Sequence, residues 1–250
     1  RDVCKSIQSI KRKVRKRQLG TKAASKAMYM RQDIIDLSIQ LLDHCSFRVG
    51  NPKYLKQNKS HGLTNLTNNH YDPTTQTISF TGKTNQTNSC SITDPSLIAF
   101  LNNRHTYYDN DHRIFTYYKP SHRHDRKQQQ YQILPADINR ELKKYGNITA
   151  KDFRMWTANR LFIEQLSHAY SNMTPKHLPL RHALKKKIIH TALKVIANHL
   201  NHTISVCRRH YIHPGILELY LSDDSKWIET MFCTVSTTKN FEWTLLKILN

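Results

Sequence analysis

Four short segments gather side chains that could act together on an anionic ester. The first is Phe47-Arg48-Val49-Gly50-Asn51-Pro52-Lys53-Tyr54, followed by His61-Gly62-Leu63-Thr64-Asn65-Leu66. The second is Phe80-Thr81-Gly82-Lys83, and the third is Thr149-Ala150-Lys151-Asp152-Phe153-Arg154-Met155-Trp156. The fourth runs Asn201-His202-Thr203-Ile204-Ser205-Val206-Cys207-Arg208-Arg209-His210-Tyr211-Ile212-His213-Pro214. Guanidinium groups offer a fork of donors that fits an oxyanion. Imidazole and ammonium groups can hold or deliver a proton, and a phenol is a latent nucleophile. A phosphodiester is already an anion, and its pentacoordinate transition state gathers more charge on the non-bridging oxygens, so side chains of these types suit it. Singly they carry little weight, because the chain has 39 Lys plus Arg, 15 His and 12 Tyr.

Two further patterns bear on chemistry. His122-Arg123-His124 and His210-Tyr211-Ile212-His213 pair histidines, but no acid or Cys flanks them at zinc spacing, so a metal site is not expected. Five cysteines (Cys4, Cys45, Cys90, Cys207 and Cys233) are an odd number with no CxxC among them. The expectation is free thiols in a reducing compartment, with neither a disulfide framework nor a thiolate zinc site.

The elements that must hold these segments can be read from periodicity. Met30, Ile34, Leu37, Leu41 and Leu42 predict a helix over 30–45, with Asp33, Asp36 and Gln40 on the other side. Residues 51–110 are rich in Gly, Pro, Thr and Asn. Alternation in Thr77-Ile78-Ser79-Phe80-Thr81 and Cys90-Ser91-Ile92 predicts a small β-hairpin with Gly82-Lys83 on its turn side. Residues 120–130 read as a polar loop. Helices are predicted near 137–145, 150–170 and 180–200, the last on a stripe of Ile188, Ala192, Val195, Ile196 and Leu200, with a final pair within 214–250. The fold class is α+β: mainly α-helical, with one small sheet (a hairpin or three strands) in the N-terminal third.

Charge narrows the partner. Against 18 Asp plus Glu, the 39 basic residues leave a formal charge of +21. Such a chain repels itself until it meets a polyanion, most commonly nucleic acid. Eleven of the cations fall in residues 1–32, including Lys11-Arg12-Lys13-Val14-Arg15-Lys16-Arg17, and phosphate contacts are expected there. Anionic membrane is the second such polyanion. No run of 18 apolar residues exists, so nothing is expected to span a bilayer, and nucleic acid rather than membrane is the expected partner.

In order and spacing, the four segments resemble the type IB DNA topoisomerases, above all the small enzymes of poxviruses, other large DNA viruses and bacteria. That family carries R-[IV]-G-[NK] followed by G-L-x-x-L, then F-x-G-K, K-D-[LF]-R-[TS]-[WY] and G-[HN]-T-P, with a Tyr nine residues past the His. Here 211 − 202 = 9, and the match covers residues 30–221. The resemblance implies the catalytic core shared by tyrosine recombinases and these topoisomerases. It makes Arg48, Lys83, Arg154, His202 and Tyr211 the catalytic set. Tyr211 is then the nucleophile and Lys83 the general acid toward the leaving 5′-oxygen. Lys151, Tyr54, Asn51, Arg208 and Arg209 are expected to contact DNA. Met155, Asn201 and Ile204 depart from the family's Thr/Ser, Gly and Pro.

The implied activity is relaxation of supercoiled double-stranded DNA through a 3′-phosphotyrosyl intermediate, with no metal, ATP or other cofactor. Residues 1–250 are expected to form one catalytic domain, with a basic segment at 1–29, a core at 30–221 and C-terminal helices at 222–250. A β-rich domain is expected upstream, the two closing as a monomeric, C-shaped clamp. Such an enzyme works where DNA is replicated or transcribed: in a viral factory or virion if viral, otherwise in cytoplasm or nucleoid, and it is not secreted. A tyrosine recombinase shares the chemistry but usually shows H-x-L-R-H where this chain has Lys151-Asp152-Phe153-Arg154. A catalytically inactive DNA-binding protein has no use for the full set.

Overall fold

Helix α1 (Asp2–Gly20) follows from apolar residues at helical spacing, because Ile7, Ile10 and Val14 all lie inside. The computed structural model describes residues 2–20, 29–119, 129–171 and 182–222. Part of the basic run is used within the fold. Lys11 pairs with Asp43 at 3.0 Å, and Arg17 with Asp36 at 2.8 Å and Glu141 at 3.6 Å. Lys5, Arg12, Lys13, Arg15 and Lys16 stay exposed. The pairing also corrects the helix-face reading, since Asp36 is buried beneath Arg17 and does not face solvent.

The chain divides into two compact units, residues 2–153 and residues 154–250 with Arg1. In the first, α2 (Arg31–Cys45) is the centre, with Ile34, Ile35, Leu37, Ile39, Leu41 and Leu42 buried. It packs against α1 and against α4, α5 and β4, defined below. The Asp33 carboxylate accepts from the Met30 N–H at its start, and Ser46 closes its end at φ 53°. A short helix α3 (Pro52–Asn58) follows, then β1 (Tyr71–Asp72), β2 (Thr77–Thr81) and β3 (Thr87–Ser91). These strands form an antiparallel sheet in the order β1-β2-β3, with Ile78 opposite Cys90 and Thr81 opposite Thr87. The predicted hairpin is there, with one strand added at its side.

Two helices stand where only loop and hairpin were expected. Asn51 and Asp94 cap the starts of α3 and α4 (Pro95–Tyr107), and each is followed by a proline that suits the first helical position. Arg104 of α4 is fully buried, with its guanidinium over the rings of Tyr29, Phe100 and Tyr108 and a hydrogen bond to the Thr116 carbonyl. That bond anchors β4 (Thr116–Tyr118), which pairs with β5 (Gln130–Gln132) in a second, unforeseen sheet. Helix α5 (Pro135–Lys143) completes the unit. Residues 120–128 of the expected loop, with His122 and His124, lie outside the described residues.

Helix α6 (Ala150–Ser171) begins in the first unit and continues in the second. Helix α7 (His182–Leu200) buries Ile189, Ala192, Leu193, Ile196, Ala197 and Leu200. The expected stripe is thus turned slightly: Val195 is 42 % exposed, and Ile189 and Leu193 take the inner face. Helices α8 (Ile204–His210) and α9 (Pro214–Leu221) pack on α7. The rest of the expected last pair, beyond residue 222, is outside the described residues. No helix among them is long and apolar enough to cross a membrane.

The cysteine expectation is overturned in part. Cys45, the last residue of α2, is disulfide-bonded to Cys90 on β3, with Cα atoms 5.7 Å apart. An odd count excludes complete pairing but not one pair. Cys207 is free and buried, and burial pushes its thiol up to about 11.

Candidate active site

Arg48 sits three residues past the end of α2, on a segment held by backbone and ring contacts. Its carbonyl accepts from Leu63 N–H at 2.9 Å, and that of Val49 accepts from Thr64 N–H at 2.9 Å. Phe47 meets Phe80 of β2 edge to face at 4.8 Å between ring centroids. The glycines of the first motif have a steric cause. A Cβ on Gly62 would lie 2.5 Å from Gly50 Cα, so the two chain segments touch backbone to backbone. Gly50 also sits at φ +89°, which side chains avoid.

Lys83 opens the β2–β3 turn, exposed, with Gly82 N–H bonded to the Gln86 carbonyl at 2.8 Å. Arg48 and Lys83 line one cavity of about 350 Å³, together with Asn51, Tyr54, His61 and Pro135. Tyr54 is half exposed there. The Asn51 side-chain oxygen caps α3 by accepting from Lys53 N–H at 2.9 Å, so this residue has a structural task beside its expected DNA contact. His61 was not singled out from the sequence. Its N–H bonds to the Thr81 carbonyl at 2.9 Å, and its ring lies 4.4 Å from that of His70. Burial, with His61 beside it, pushes His70 down to about 4.

In the second unit, Arg154 of α6 is 4 % exposed. Its Nη2 donates to the Leu200 carbonyl at 2.6 Å and lies 3.2 Å from His202 Nε2. A guanidinium can only donate, so Nε2 is the acceptor in that contact. The His202 and Tyr211 rings are 4.4 Å apart, and the Arg154 guanidinium carbon is 5.9 Å from the Tyr211 ring centre. The nine-residue spacing now has a structural reason. Thr203 caps α8 by accepting from Val206 N–H at 3.2 Å, and the helix makes two turns. Tyr211 stands at its end with its N–H on the Cys207 carbonyl, and the ring comes back to His202.

Both departures beside His202 are accommodated. Asn201 takes φ 53°, a conformation that Asn tolerates best after Gly. Ile204 opens α8 at a position that favours Pro without needing it.

Asn159, one and a half turns after Arg154, was not found from the sequence. Its amide donates to the carbonyls of Tyr211 at 2.8 Å and Met155 at 2.7 Å, and its oxygen accepts from His213 N–H at 2.8 Å. His213 caps α9 through Nδ1, which explains the second member of that histidine pair. Lys151 in the first turn of α6, and Arg208 and Arg209 in the last turn of α8, are exposed.

The arrangement can do two things chemically. One unit holds a phenol beside an arginine and an imidazole; the other holds an arginine and a lysine in a cavity. The sequence profile of the eukaryotic DNA topoisomerase I catalytic core matches residues 1–226. The DNA topoisomerase 1B of Acanthamoeba polyphaga mimivirus is 30 % identical over 205 residues, which cover 80 % of this chain and 59 % of that protein. The chain therefore spans about three fifths of that relative's length. Four motifs in order, an arginine–imidazole–phenol cluster built from the last two of them, and a profile match over most of the chain agree: this protein belongs to the DNA topoisomerase I catalytic-core family.

Proposed function

We propose that this protein is a type IB DNA topoisomerase, which nicks one strand of duplex DNA, lets the helix swivel and reseals it without ATP or a metal ion. The cluster of Arg154, His202 and Tyr211 carries the reading, because a binding protein needs no buried arginine and imidazole around a tyrosine. The Tyr211 hydroxyl oxygen attacks phosphorus, losing its proton to solvent water, and the P–O5′ bond breaks. The strand's 3′-phosphate stays on the tyrosine, and the departing 5′-oxygen takes a proton from Lys83. Arg154 and Arg48 supply positive charge and, with the N–H of His202, donors to the non-bridging oxygens, each typically worth ~2.7–4 kcal/mol in the transition state. Religation reverses these steps with the bond energy kept in the phosphotyrosyl ester, so no nucleotide is consumed.

Duplex DNA is the substrate, held by the exposed cations Lys151, Arg208 and Arg209 and by Tyr54 at the cavity. The protein acts as a monomer that closes on DNA as a clamp, where DNA is replicated or transcribed. Relaxation of a supercoiled plasmid in EDTA, without nucleotide, tests this. Negative and positive supercoils should both be lost, and an absolute need for Mg²⁺ or ATP would sink the reading. Tyr211→Phe should abolish the covalent protein–DNA adduct while DNA binding survives with its steep salt dependence. An adduct persisting in that variant would put the nucleophile elsewhere.

A further inference from the structure

The two halves of the Cys45–Cys90 bridge lie on the two segments that carry Arg48 and Lys83. Cys45 ends α2, three residues before Arg48. Cys90 lies on β3, opposite Ile78 of β2, and the same hairpin closes at residues 82–86 with Lys83 in its turn. Three residues of strand separate Ile78 from Thr81, about 10 Å of lever between the bridge and the turn.

β3 is an edge strand bonded in its sheet to β2 alone. Contacts of β2 with the Arg48 segment and its neighbouring loop include the Phe47–Phe80 rings and the His61 N–H on the Thr81 carbonyl. The disulfide is the covalent tie to β3. Beside it, His44 Nε2 lies 3.1 Å from the Ser91 carbonyl oxygen.

We propose that Cys45 and Cys90 form a reversible thiol–disulfide site that clamps the Lys83 hairpin to the segment bearing Arg48, so that the redox state of the pair sets how well Lys83 is positioned. This rests on the proposed role of Lys83 as proton donor.

The chemistry is ordinary thiol–disulfide exchange. Cys90 is half-buried while Cys45 is nearly closed off, so Cys90 is the sulfur that a small reagent reaches. Its thiol gives up a proton, and the thiolate attacks a small disulfide such as oxidised glutathione. One thiolate leaves and a mixed disulfide forms on Cys90. Cys45, likewise deprotonated, displaces the second thiolate and closes the bridge. Two electrons pass from the protein sulfurs to the small disulfide, which leaves as two thiols. A small dithiol runs the sequence backwards. His44 sets a ring nitrogen within 4.8 Å of both sulfurs.

The test compares the protein after oxidised glutathione with the same protein after dithiothreitol, alongside Cys90→Ser, an edge-strand substitution that removes the bridge without a reductant. Three readouts are taken: the linked 45–90 peptide pair in a non-reduced digest, amide hydrogen exchange over residues 83–91, and single-turnover cleavage of duplex DNA. Cleavage is measured on ordinary DNA and on DNA with sulfur in place of the bridging 5′-oxygen, whose thiolate leaving group needs no proton. The oxidised protein should show the linked pair and slow exchange. The reduced protein and Cys90→Ser should exchange faster and cleave ordinary DNA more slowly, by up to about 100-fold for a displacement near 1 Å. On the sulfur substrate all three should be nearly equal.

Absence of the linked pair after oxidation overturns the proposal, as does equal cleavage of ordinary DNA in both states. Equal slowing on both substrates also overturns it, since the bridge would then support the fold and not Lys83. Reduced protein that binds Zn²⁺ through His44, Cys45 and Cys90 and resists oxidation overturns it in favour of a metal site. If neither state cleaves either substrate while linkage and exchange still follow the redox state, the topoisomerase reading falls and the clamp stands.

Discussion

Asn159 holds the backbone on both sides of Ile212, donating to the Tyr211 carbonyl and accepting from the His213 N–H, each at 2.8 Å. With a third bond to the Met155 carbonyl, one buried amide fixes α6 to the turn that carries Tyr211. Asn159→Ala leaves those backbone groups without their partner, at about 1–3 kcal/mol for each one that stays buried. Adduct formation in a single turnover should slow by about 100-fold, as a displacement near 1 Å at a reacting group does. DNA affinity should change little, because it rests on exposed cations. Asn159→Asp keeps the acceptor for His213 but loses both donors, and is expected to be as slow. A variant that bound DNA normally and formed adduct at the normal rate would remove Asn159 from its positioning role.

Two glycines of the active-site motifs should differ in what they tolerate. In Gly62→Ala the new Cβ falls 2.5 Å from Gly50 Cα and 2.8 Å from the Arg48 carbonyl oxygen, and neither backbone atom can turn aside. In Gly82→Ala it falls 2.2 Å from Asn88 Nδ2, the far end of a side chain. The first substitution should cost about 1–3 kcal/mol by forcing the backbone apart, and should slow cleavage by shifting Arg48. The second should cost less. Urea midpoints of the two variants check the order, and the reverse order would show that the Asn88 amide is the more rigid neighbour.

The fold was legible in α2, α6 and α7, but not in α1, where the basic run around Ile7, Ile10 and Val14 masked the buried stripe. It was less so where the evidence is a single cap. Asp94-Pro95 and Asn51-Pro52 start helices, but the Thr- and Asn-rich composition around them masked the signal. In the site, the spacing from His202 to Tyr211 was readable because it measures one short helix and its two caps. Asn159 was not, since its partners are backbone groups 52 and 54 residues away that no side-chain pattern reveals. The Cys45–Cys90 pair, 45 residues apart, was hidden for the same reason. Among many cations, nothing in the sequence marked Lys11 and Arg17 as two that pair with carboxylates of other helices.

Acid should loosen the first unit through His70. Its pKa falls from 6.5 to about 4 by burial, with His61 adding repulsion, while its Nδ1 accepts from Thr67 N–H at 3.0 Å. The unfolded chain therefore takes up the proton first as pH falls, so stability present at neutral pH is lost between about pH 6.5 and 4. Asp36, raised from 3.8 to about 6 by burial, gives the opposite slope, gaining stability as pH falls from 6 to 3.8. The comparison to make is thus His70→Asn against the unmodified protein, since the amide oxygen can replace Nδ1 as acceptor without titrating. Unfolding free energy across this range should fall less steeply in the variant. Identical slopes would mean that His70 binds its proton equally in the folded and unfolded states.

Proton donation and charge stabilisation should separate cleanly between Lys83 and Arg154. Lys83 is exposed in a hairpin turn, while Arg154 is buried against the Leu200 carbonyl and beside His202. Lys83→Ala should slow cleavage of ordinary DNA by ~10²–10⁴-fold, the usual contribution of a general acid. With sulfur at the bridging 5′ position the leaving group needs no proton, and Lys83→Ala should cleave nearly as fast as the unmodified protein on that substrate. In the proposed mechanism Arg154 serves the non-bridging oxygens, which sulfur at the bridge leaves unchanged, so its variants should stay slow on both substrates. Arg154→Lys keeps the charge and loses the fork, and it avoids emptying the space that Arg154→Ala would leave beneath His202. Thermal unfolding of each variant separates a lost fold from a lost charge. If sulfur rescued the Lys83 and Arg154 variants equally, or neither, Lys83 would not be a dedicated acid, and the 5′-oxygen would take its proton from another group.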